Sequence, residues 1–301
     1  MPSSTSTITP TIAAANDVAP TNQPVALQTP TRLVPSVTPS PIPTVTLELA
    51  TIEPTATITS DAIATPPGIQ SSEKVLWLLE TNNGCQLPCW WGITPGQTKW
   101  EVAKKFFIPF AQPIESTSSS DITTYSPLIY LPSSIFKALN TSPSYTVREG
   151  IIEGILTRVA IGDIPDGYLT QYTLPAFLTT YGQPTEVWIA TYPAAFEENE
   201  LPFAVVLFYP KQGIMALYDD NGIMENGLVT GCPQTNPVAI LKLTRPNLNL
   251  TFEQARGLSS AFNEKYLRLE EVTDMDVSTF YQQFKDPNNT LCLETPASWW
   301  R

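Results

Sequence analysis

The sequence predicts an α+β protein, with antiparallel sheets and helices packed on one face, preceded by a disordered Thr/Pro/Ser-rich segment. Three observations lead to this fold class. Apolar residues alternate at a period of two in several short runs, which is typical of strands. Helix-capping residues precede other runs in which apolar residues have helical spacing. These helices and strands come in clusters rather than in strict alternation, which favours α+β over a parallel α/β sheet.

The composition excludes several classes of function. The chain has 301 residues, a formal net charge of −12 and no histidine. Without histidine, Ser-His-Asp catalysis, Cys-His catalysis and His-ligated zinc are excluded. No cluster of Lys and Arg is present that could neutralise phosphates, which argues against nucleic acid. Charged residues make up 15% of the chain, against about 25% in typical domains, and this low share favours an extracytoplasmic protein.

Residues 1–71 differ in composition from the rest of the chain, because they are rich in Thr, Pro and Ser. Proline lacks an N–H donor and fixes φ, so this segment cannot form a helix or a sheet. We predict a disordered stalk over 1–71 and a globular region over 72–301. That region is either one composite domain or two packed units, at about 72–230 and 231–301. No signal peptide is recognisable, so membrane contact is expected only through an anchor upstream of Met1.

In the first part of the globular region, residues 74–80 form an apolar run that suits either a helix or an edge strand. Thr98 and Glu101 have the spacing of a capping box, in which both side chains accept hydrogen bonds from free N–H groups. We therefore expect a helix from Thr98. Its buried face should consist of Trp100, Ala103, Phe106 and Phe107. Strands are expected at 125–131, 145–147 and 151–161, with a turn at Gly150 and a bulge at Gly154.

In the second part, residues 174–181 are expected to form a helix between Thr173 as N-cap and Gly182 as its end. Residues 203–209 are apolar at every position, which indicates a central strand covered on both faces. A tight turn is expected at Asp220-Asn221-Gly222, because Asn-Gly tolerates positive φ. Two further helices are expected after Thr251 and after Asp276. The other predicted strands are 186–191, 214–218, 238–243, 266–272 and 291–293.

The four cysteines, Cys85, Cys89, Cys232 and Cys292, allow three disulfide pairings. We predict Cys85–Cys89 and Cys232–Cys292, since Gly84 and Pro88 supply a turn that brings the first two together. The alternative is a redox or metal site. However, Cys-x3-Cys is not the Cys-x2-Cys of thioredoxin-like enzymes, and four-ligand zinc sites usually have a second close pair. Disulfides indicate an oxidising environment outside the cytoplasm.

The candidate contacts to a ligand or partner are two pairs of adjacent tryptophans, Trp90-Trp91 and Trp299-Trp300. Neighbouring residues of an extended chain point to opposite sides, so one of each pair can be exposed. An exposed indole can stack on a sugar ring or anchor a protein partner. Alternatively, Trp90 and Trp91 pack over the turn between the first two cysteines.

No motif assigns a catalytic activity to the chain. No P-loop or nucleophile elbow is present, and nothing singles out the paired carboxylates of a glycosidase. Asp219 and Asp220 lack the alternating ligands of a calcium loop. We therefore predict no catalytic residue, no metal site and no cofactor.

Three stretches, residues 85–99, 181–189 and 206–214, resemble a group of uncharacterised bacterial envelope proteins. Those proteins have a Thr/Pro-rich stalk ahead of a domain with a C-x-x-x-C-W-W-G motif. The succession of helix, G-x-P and antiparallel strands is also similar to β-lactamase-inhibitor-like domains and to the small lipoprotein of the β-barrel assembly machinery. The resemblance implies binding rather than catalysis.

These observations together favour a secreted or surface-anchored protein with a non-catalytic role, either recognition or scaffolding at the cell envelope. Its partner would be a protein or a glycan at the cell surface. The alternative is a carbohydrate-active protein that uses exposed tryptophans and paired carboxylates. The two hypotheses differ in structure, because the second requires a cleft with two carboxylates beside an exposed indole.

Overall fold

The structure is a computed structural model of the chain. It describes residue 63 and residues 71–130, 140–141, 143–159, 167–191, 200–257, 262 and 264–300. The predicted stalk lies almost wholly outside these residues. Residues Ile58–Arg301 form one compact unit. In the parts of the chain that are described, no helix has the length and apolar character needed to cross a membrane.

Strands predominate over helices in the described residues. The helices are α1 (Ser71–Thr81), α2 (Trp100–Phe107), α3 (Leu174–Tyr181), α4 (Phe252–Arg256), α5 (Leu269–Val272) and α6 (Val277–Phe284). The first six strands are β1 (Ala111–Ser119), β2 (Ile122–Tyr130), β3 (Asn140–Thr141), β4 (Ser144–Arg148), β5 (Ile151–Arg158) and β6 (Glu186–Thr191). The others are β7 (Glu200–Tyr209), β8 (Ile214–Glu225), β9 (Leu228–Gly231), β10 (Ile240–Thr244), β11 (Leu267–Arg268) and β12 (Leu293–Pro296). The α+β class is confirmed.

All these strands belong to one antiparallel sheet with the order β1-β2-β4-β5-β10-β8-β7-β6-β11. β3 pairs with β2, β9 with β8, and β12 with β9. β10 lies between β5 and β8, where Leu241 is opposite Thr157 on one side and Ala216 on the other. The part of the chain after residue 230 therefore supplies a central strand of the sheet. The choice between one composite domain and two packed units stays a prediction.

The sheet has an apolar cluster on each face, as alternation along β7 shows. Phe203, Val205 and Leu207 belong to the larger cluster, whereas Ala204, Val206 and Phe208 belong to the smaller one. The prediction of a central strand covered on both faces is confirmed. Side chains of α1, α2, α3, α5 and α6 join the larger cluster, and those of α4 join the smaller one. The expectation of helices on one face alone is therefore too narrow.

The predicted capping box at Thr98 is not formed. α2 begins at Trp100 with Lys99 as its N-cap, and no side chain caps this end. The Thr98 hydroxyl instead accepts a hydrogen bond from the Thr94 N–H at 2.9 Å, which closes the preceding turn. The buried face of the helix is as expected, with Trp100, Ala103, Phe106 and Phe107 buried. The apolar spacing was thus a better guide to this helix than its capping residues.

The predicted turn at Asp220-Asn221-Gly222 is also wrong. These residues continue β8 and pair with residues of β7, with Gly222 opposite Leu201. The chain turns later, at Asn226-Gly227, where both residues have positive φ. The Asp220 carboxylate accepts hydrogen bonds from the Cys232 N–H at 2.5 Å and from the Asn236 amide at 3.3 Å. It therefore stabilises the segment after β9.

Several other local predictions are confirmed. α3 covers the predicted residues and ends at Gly182, which has φ 78°. The bulge beside Gly154 is present, because Thr146 pairs with Gly154 and the next residue of β4 pairs with Ile152. Thr251 forms its capping box, and Asp276 accepts from the Thr279 N–H at 2.7 Å. Residues 74–80 are helical. The predicted strand 266–272 is wrong beyond β11, since Leu269–Val272 is the helix α5.

Candidate functional site

The two disulfides connect Cys85 with Cys89 and Cys232 with Cys292, as predicted. Among the described residues no cysteine is free. The first bridge closes a small loop after α1, and the second joins the end of β9 to the residue before β12. Such bonds are typical of oxidising compartments. All four cysteines therefore have a structural role, and the alternative of a redox or metal site at the thiols is not needed.

Of the four tryptophans predicted as contacts, three are buried. Trp90 and Trp91 are 0% and 1% exposed, and Trp300 is 9% exposed. Trp299 is 45% exposed. Its carbonyl accepts a hydrogen bond from the Lys265 ammonium at 3.1 Å. The prediction of Trp90, Trp91 and Trp300 as contact residues is therefore corrected, and only Trp299 remains accessible.

Trp90 and Trp91 are both buried because the chain is not extended there. Trp91 has φ 57°, and Trp90 pairs with Ile93 across a tight turn. The two indole rings therefore lie on the same side and stack, with centroids 5.3 Å apart and an angle of 19° between their planes. The argument from opposite faces fails at a residue with left-handed backbone. Both rings are buried, as the alternative of packing over the turn between the first two cysteines requires.

Asn82 holds this tryptophan turn against the disulfide loop. Its side-chain amide donates to the carbonyls of Cys85 and Cys89, both at 2.8 Å. Its amide oxygen accepts from the Trp91 N–H at 2.8 Å. Asn82 is buried, so these bonds satisfy an otherwise costly polar group. Sequence reasoning did not single out Asn82 and missed this role.

A groove lies on the face of the sheet opposite the larger cluster. It is formed by β2, β4, β5 and β10 and by the residues after β10, and its volume is about 480 Å³. Side chains alternate along β4, so that Tyr145 and Val147 are buried in the larger cluster while Thr146 lines the groove. α4 covers the neighbouring part of this face, and the groove lies where that cover ends.

The floor of the groove is formed by residues with small side chains, and the wall after β10 is apolar. Thr124, Thr146 and Gly154 supply small groups on three neighbouring strands. Leu248 and Leu250 form a wall after β10, and Leu248 is 36% exposed. A Cβ atom placed on Gly154 would be 3.9 Å from Thr146 Cβ and 3.5 Å from the Leu243 carbonyl, so there is room for a side chain there. The depth of the groove thus depends on a glycine.

Lys242 lies at the inner end of the groove and is 7% exposed. Its ammonium donates to the carbonyl of Ala255 in the last turn of α4. No ion pair of Lys242 is found among the described residues. Desolvation lowers the pKa of Lys242 from 10.5 to about 8. Sequence reasoning missed this residue, although a single lysine inside the apolar run 238–243 was the signal that could have found it.

The other charged side chains of the groove are paired with neighbours. Glu153 forms an ion pair with Arg245 at 2.5 Å, and Arg148 forms one with Asp121 at 3.0 Å. Glu153 is the one carboxylate among the groove-lining residues, and none of those residues is a tryptophan. Among the described residues no group of three or more Cys, Asp or Glu side chains is placed to hold a metal ion. Lys242 is thus a buried cation of the groove for which the described part of the chain supplies no ion pair.

Comparisons with known proteins give no match: no family model fits the chain, and neither a curated protein nor a solved structure is similar to it. The resemblance to bacterial envelope proteins with a C-x-x-x-C-W-W-G motif therefore stays a prediction.

Proposed function

We propose that this chain is a non-catalytic recognition protein and that its ligand or partner binds in the groove of the sheet. The observation that carries this proposal is an open groove of about 480 Å³ beside the part of the face that α4 covers. Ligand sites in proteins have volumes of about 300–1,000 Å³ and apolar walls with a few polar groups. Leu248, Leu250, Thr146 and Lys242 supply that combination.

The tryptophan turn supports the same proposal in a different way. Trp90 and Trp91 have no accessible surface for stacking on a ligand, so they stabilise the domain instead. The contact surface must then lie elsewhere, and the groove is its best candidate. Trp299 is the accessible tryptophan of the predicted four, and it does not line the groove.

We further propose an extracytoplasmic location, as a secreted or surface-anchored protein of the cell envelope. Two disulfides and a low share of charged residues support this location. A scaffolding role is the variant of this proposal in which the partner is another protein of the envelope. The resemblance to stalked envelope proteins also supports this location.

The test is to close the groove and compare binding. Gly154→Phe places a large ring over the floor, and Gly154→Ala is the matched control because a Cβ alone fits there. Libraries of oligosaccharides, peptides and small molecules would be screened against the full chain by ligand-observed NMR. We expect binders whose affinity falls at least tenfold in Gly154→Phe and less than twofold in Gly154→Ala.

Two results would contradict the proposal. The first is a set of binders that bind Gly154→Phe as well as the unmodified chain, which would place the contact surface outside the groove. The second is conversion of a binder to product during the titration, which would indicate an enzyme. Oligosaccharide binders lost in Trp299→Ala, but not in Gly154→Phe, would favour the carbohydrate-active alternative.

A further inference from the structure

We propose that the groove takes a small amphipathic ligand with one carboxylate on an apolar body, and that Lys242 binds this carboxylate. The inference rests on the proposed function, because it names the ligand class for the same groove. It is argued from the hydrogen bonds of Lys242, the apolar wall and the charge balance of the site.

The Lys242 ammonium has N–H donors that no hydrogen bond within the described residues uses. A lysine ammonium carries three N–H donors, and the Ala255 carbonyl accepts one of them. The described residues provide no acceptor for the other two. The contact with Ala255 satisfies a free carbonyl at the end of α4, so it accounts for the presence of a lysine but uses only part of its capacity. A carboxylate in the groove would accept the remaining donors.

The burial of Lys242 favours the binding of such an anion beside its ammonium. A buried charge without a counter-ion is costly, and an anion brought beside it reduces that cost. With a pKa of about 8, Lys242 is about nine-tenths protonated at pH 7 and is a cation there. A single ammonium suits a singly charged carboxylate better than a phosphate, which proteins usually bind with several donors or with Arg forks.

The rest of the groove suits an apolar body. Leu248 and Leu250 line one side, and Ile122 and Leu156 line the strands. Leu248 has 36% of its surface exposed, which an apolar ligand would cover. The nearby carboxylate of Glu153 is paired with Arg245, so it does not repel an anion strongly. This gives a carboxylate subsite at the inner end and an apolar subsite towards solvent.

The elements packed around Lys242 carry several other charged groups. They are Glu153 and Arg158 on β5, Arg148 on β4, Asp219, Asp220 and Glu225 on β8, Arg245 after β10, and the paired Glu253 and Arg256 on α4. The pKa of Lys242, about 8, lies between pH 7 and 9.5, so Lys242 loses its charge across that range. Carboxylate binding should therefore weaken as the pH rises through it.

The test uses three probes with the same ten-carbon body, at concentrations below micelle formation. Decanoate carries the carboxylate, decanol is neutral, and decyltrimethylammonium carries the opposite charge. Titration of the full chain by isothermal calorimetry at pH 7 should show decanoate binding at least tenfold more tightly than decanol, with the ammonium weakest. Between pH 7 and 9.5 the preference for decanoate over decanol should fall at least threefold.

Lys242→Met tests the residue, and Lys265→Met is the matched control, because Lys265 is exposed and does not line the groove. We expect Lys242→Met to bind decanoate and decanol equally, while Lys265→Met keeps the preference. Chemical shifts of the variant's amides would show that it is folded. Decanoate binding that is unchanged in Lys242→Met would overturn the inference and leave Lys242 as a helix cap only.

Failure of the inference is distinguishable from failure of the proposed function. If decanoate and decanol bind equally and both are lost in Gly154→Phe, the groove is a recognition site but Lys242 is not its carboxylate subsite. If decanoate binds equally well to Gly154→Phe, the carboxylate binds outside the groove and both proposals fail for this ligand class. Absence of binding by all three probes overturns the inference as well.

Discussion

Replacing Lys242 by methionine should stabilise the protein at neutral pH. The lysine is buried on the central strand β10, and its charge is desolvated there. Methionine has a similar length and flexibility but no charge, so it fills the same space among the apolar side chains of the smaller cluster. A substitution that removes the desolvation cost should therefore raise the free energy of unfolding, whereas most core substitutions lower it.

The magnitude follows from the pKa of Lys242. A pKa of about 8 in the folded protein, against 10.5 for an unperturbed lysine, corresponds to a cost of about 3 kcal/mol for the charged form. Removing this cost stabilises the variant, but loss of the hydrogen bond to Ala255 lowers that stabilisation by about 1 kcal/mol. The expected net stabilisation of Lys242→Met at pH 7 is therefore about 2 kcal/mol.

The dependence on pH has a definite sign. Below pH 8 the lysine is protonated in both states, and the folded state carries the full cost. Between pH 8 and 10.5 the folded state releases the proton while the unfolded state keeps it, so the unmodified protein gains stability with rising pH. The advantage of Lys242→Met should therefore shrink across this range.

Urea unfolding followed by circular dichroism at pH 7 and pH 9.5 measures the effect, with Lys265→Met as the control. Burial raises the pKa of Tyr145 and Tyr218, which lowers stability as unfolded tyrosines ionise near pH 10. That contribution is common to all variants and cancels in the difference. A Lys242→Met variant less stable than the unmodified protein at pH 7, or a difference that stays constant with pH, would refute the reasoning.

Three further predictions concern stability and are measured by the same urea unfolding. Trp91→Ala should lower the free energy of unfolding by about 3–5 kcal/mol, whereas Trp299→Ala should change it by less than about 0.5 kcal/mol; equal effects would contradict the burial assigned to the tryptophan turn. Serine at both positions of the Cys232–Cys292 bridge should cost about 4 kcal/mol, and an unchanged urea midpoint would contradict the chain-entropy argument. Gly227→Ala should cost about 1 kcal/mol for its left-handed backbone. Gly213→Ala should cost clearly more, because a Cβ atom there would clash with the Thr244 carbonyl; similar losses would contradict that close approach.

Local signals predicted much of the fold. β6 matches the predicted residues 186–191, and α3 lies between the predicted N-cap position and Gly182. The disulfide pairing was predictable because Gly84 and Pro88 favour a tight loop between Cys85 and Cys89. In each case the deciding residues are neighbours in sequence, so no tertiary information was required.

The wrong predictions arose where two local signals compete. Gly222 and Gly227 each follow an asparagine, and only pairing with β7 decides that the first pair is extended. Thr98 can cap a helix or close a turn, and the hydrogen bond from Thr94 decides for the turn. Trp91 was misplaced because its left-handed backbone, which brings its ring against that of Trp90, was not indicated by its neighbours in sequence.

The groove could not be predicted, because one of its strands, β10, is far in sequence from the others. β5 and β10 are neighbours in the sheet although about 80 residues separate them, and no periodic pattern reports such pairing. Lys242 had a local signal as the one charge in an apolar run. That signal indicates an unusual residue but not its neighbours, and the neighbours decide what it binds.

The place of β10 in the sheet also sets an order for synthesis of the protein. β5 and β8 both form from chain made earlier, yet the strand that joins them follows at Ile240–Thr244. Until that strand leaves the ribosome, both have an unpaired edge that can pair with another chain. A nascent chain that ends before residue 240 is therefore a species that the cell must keep from associating.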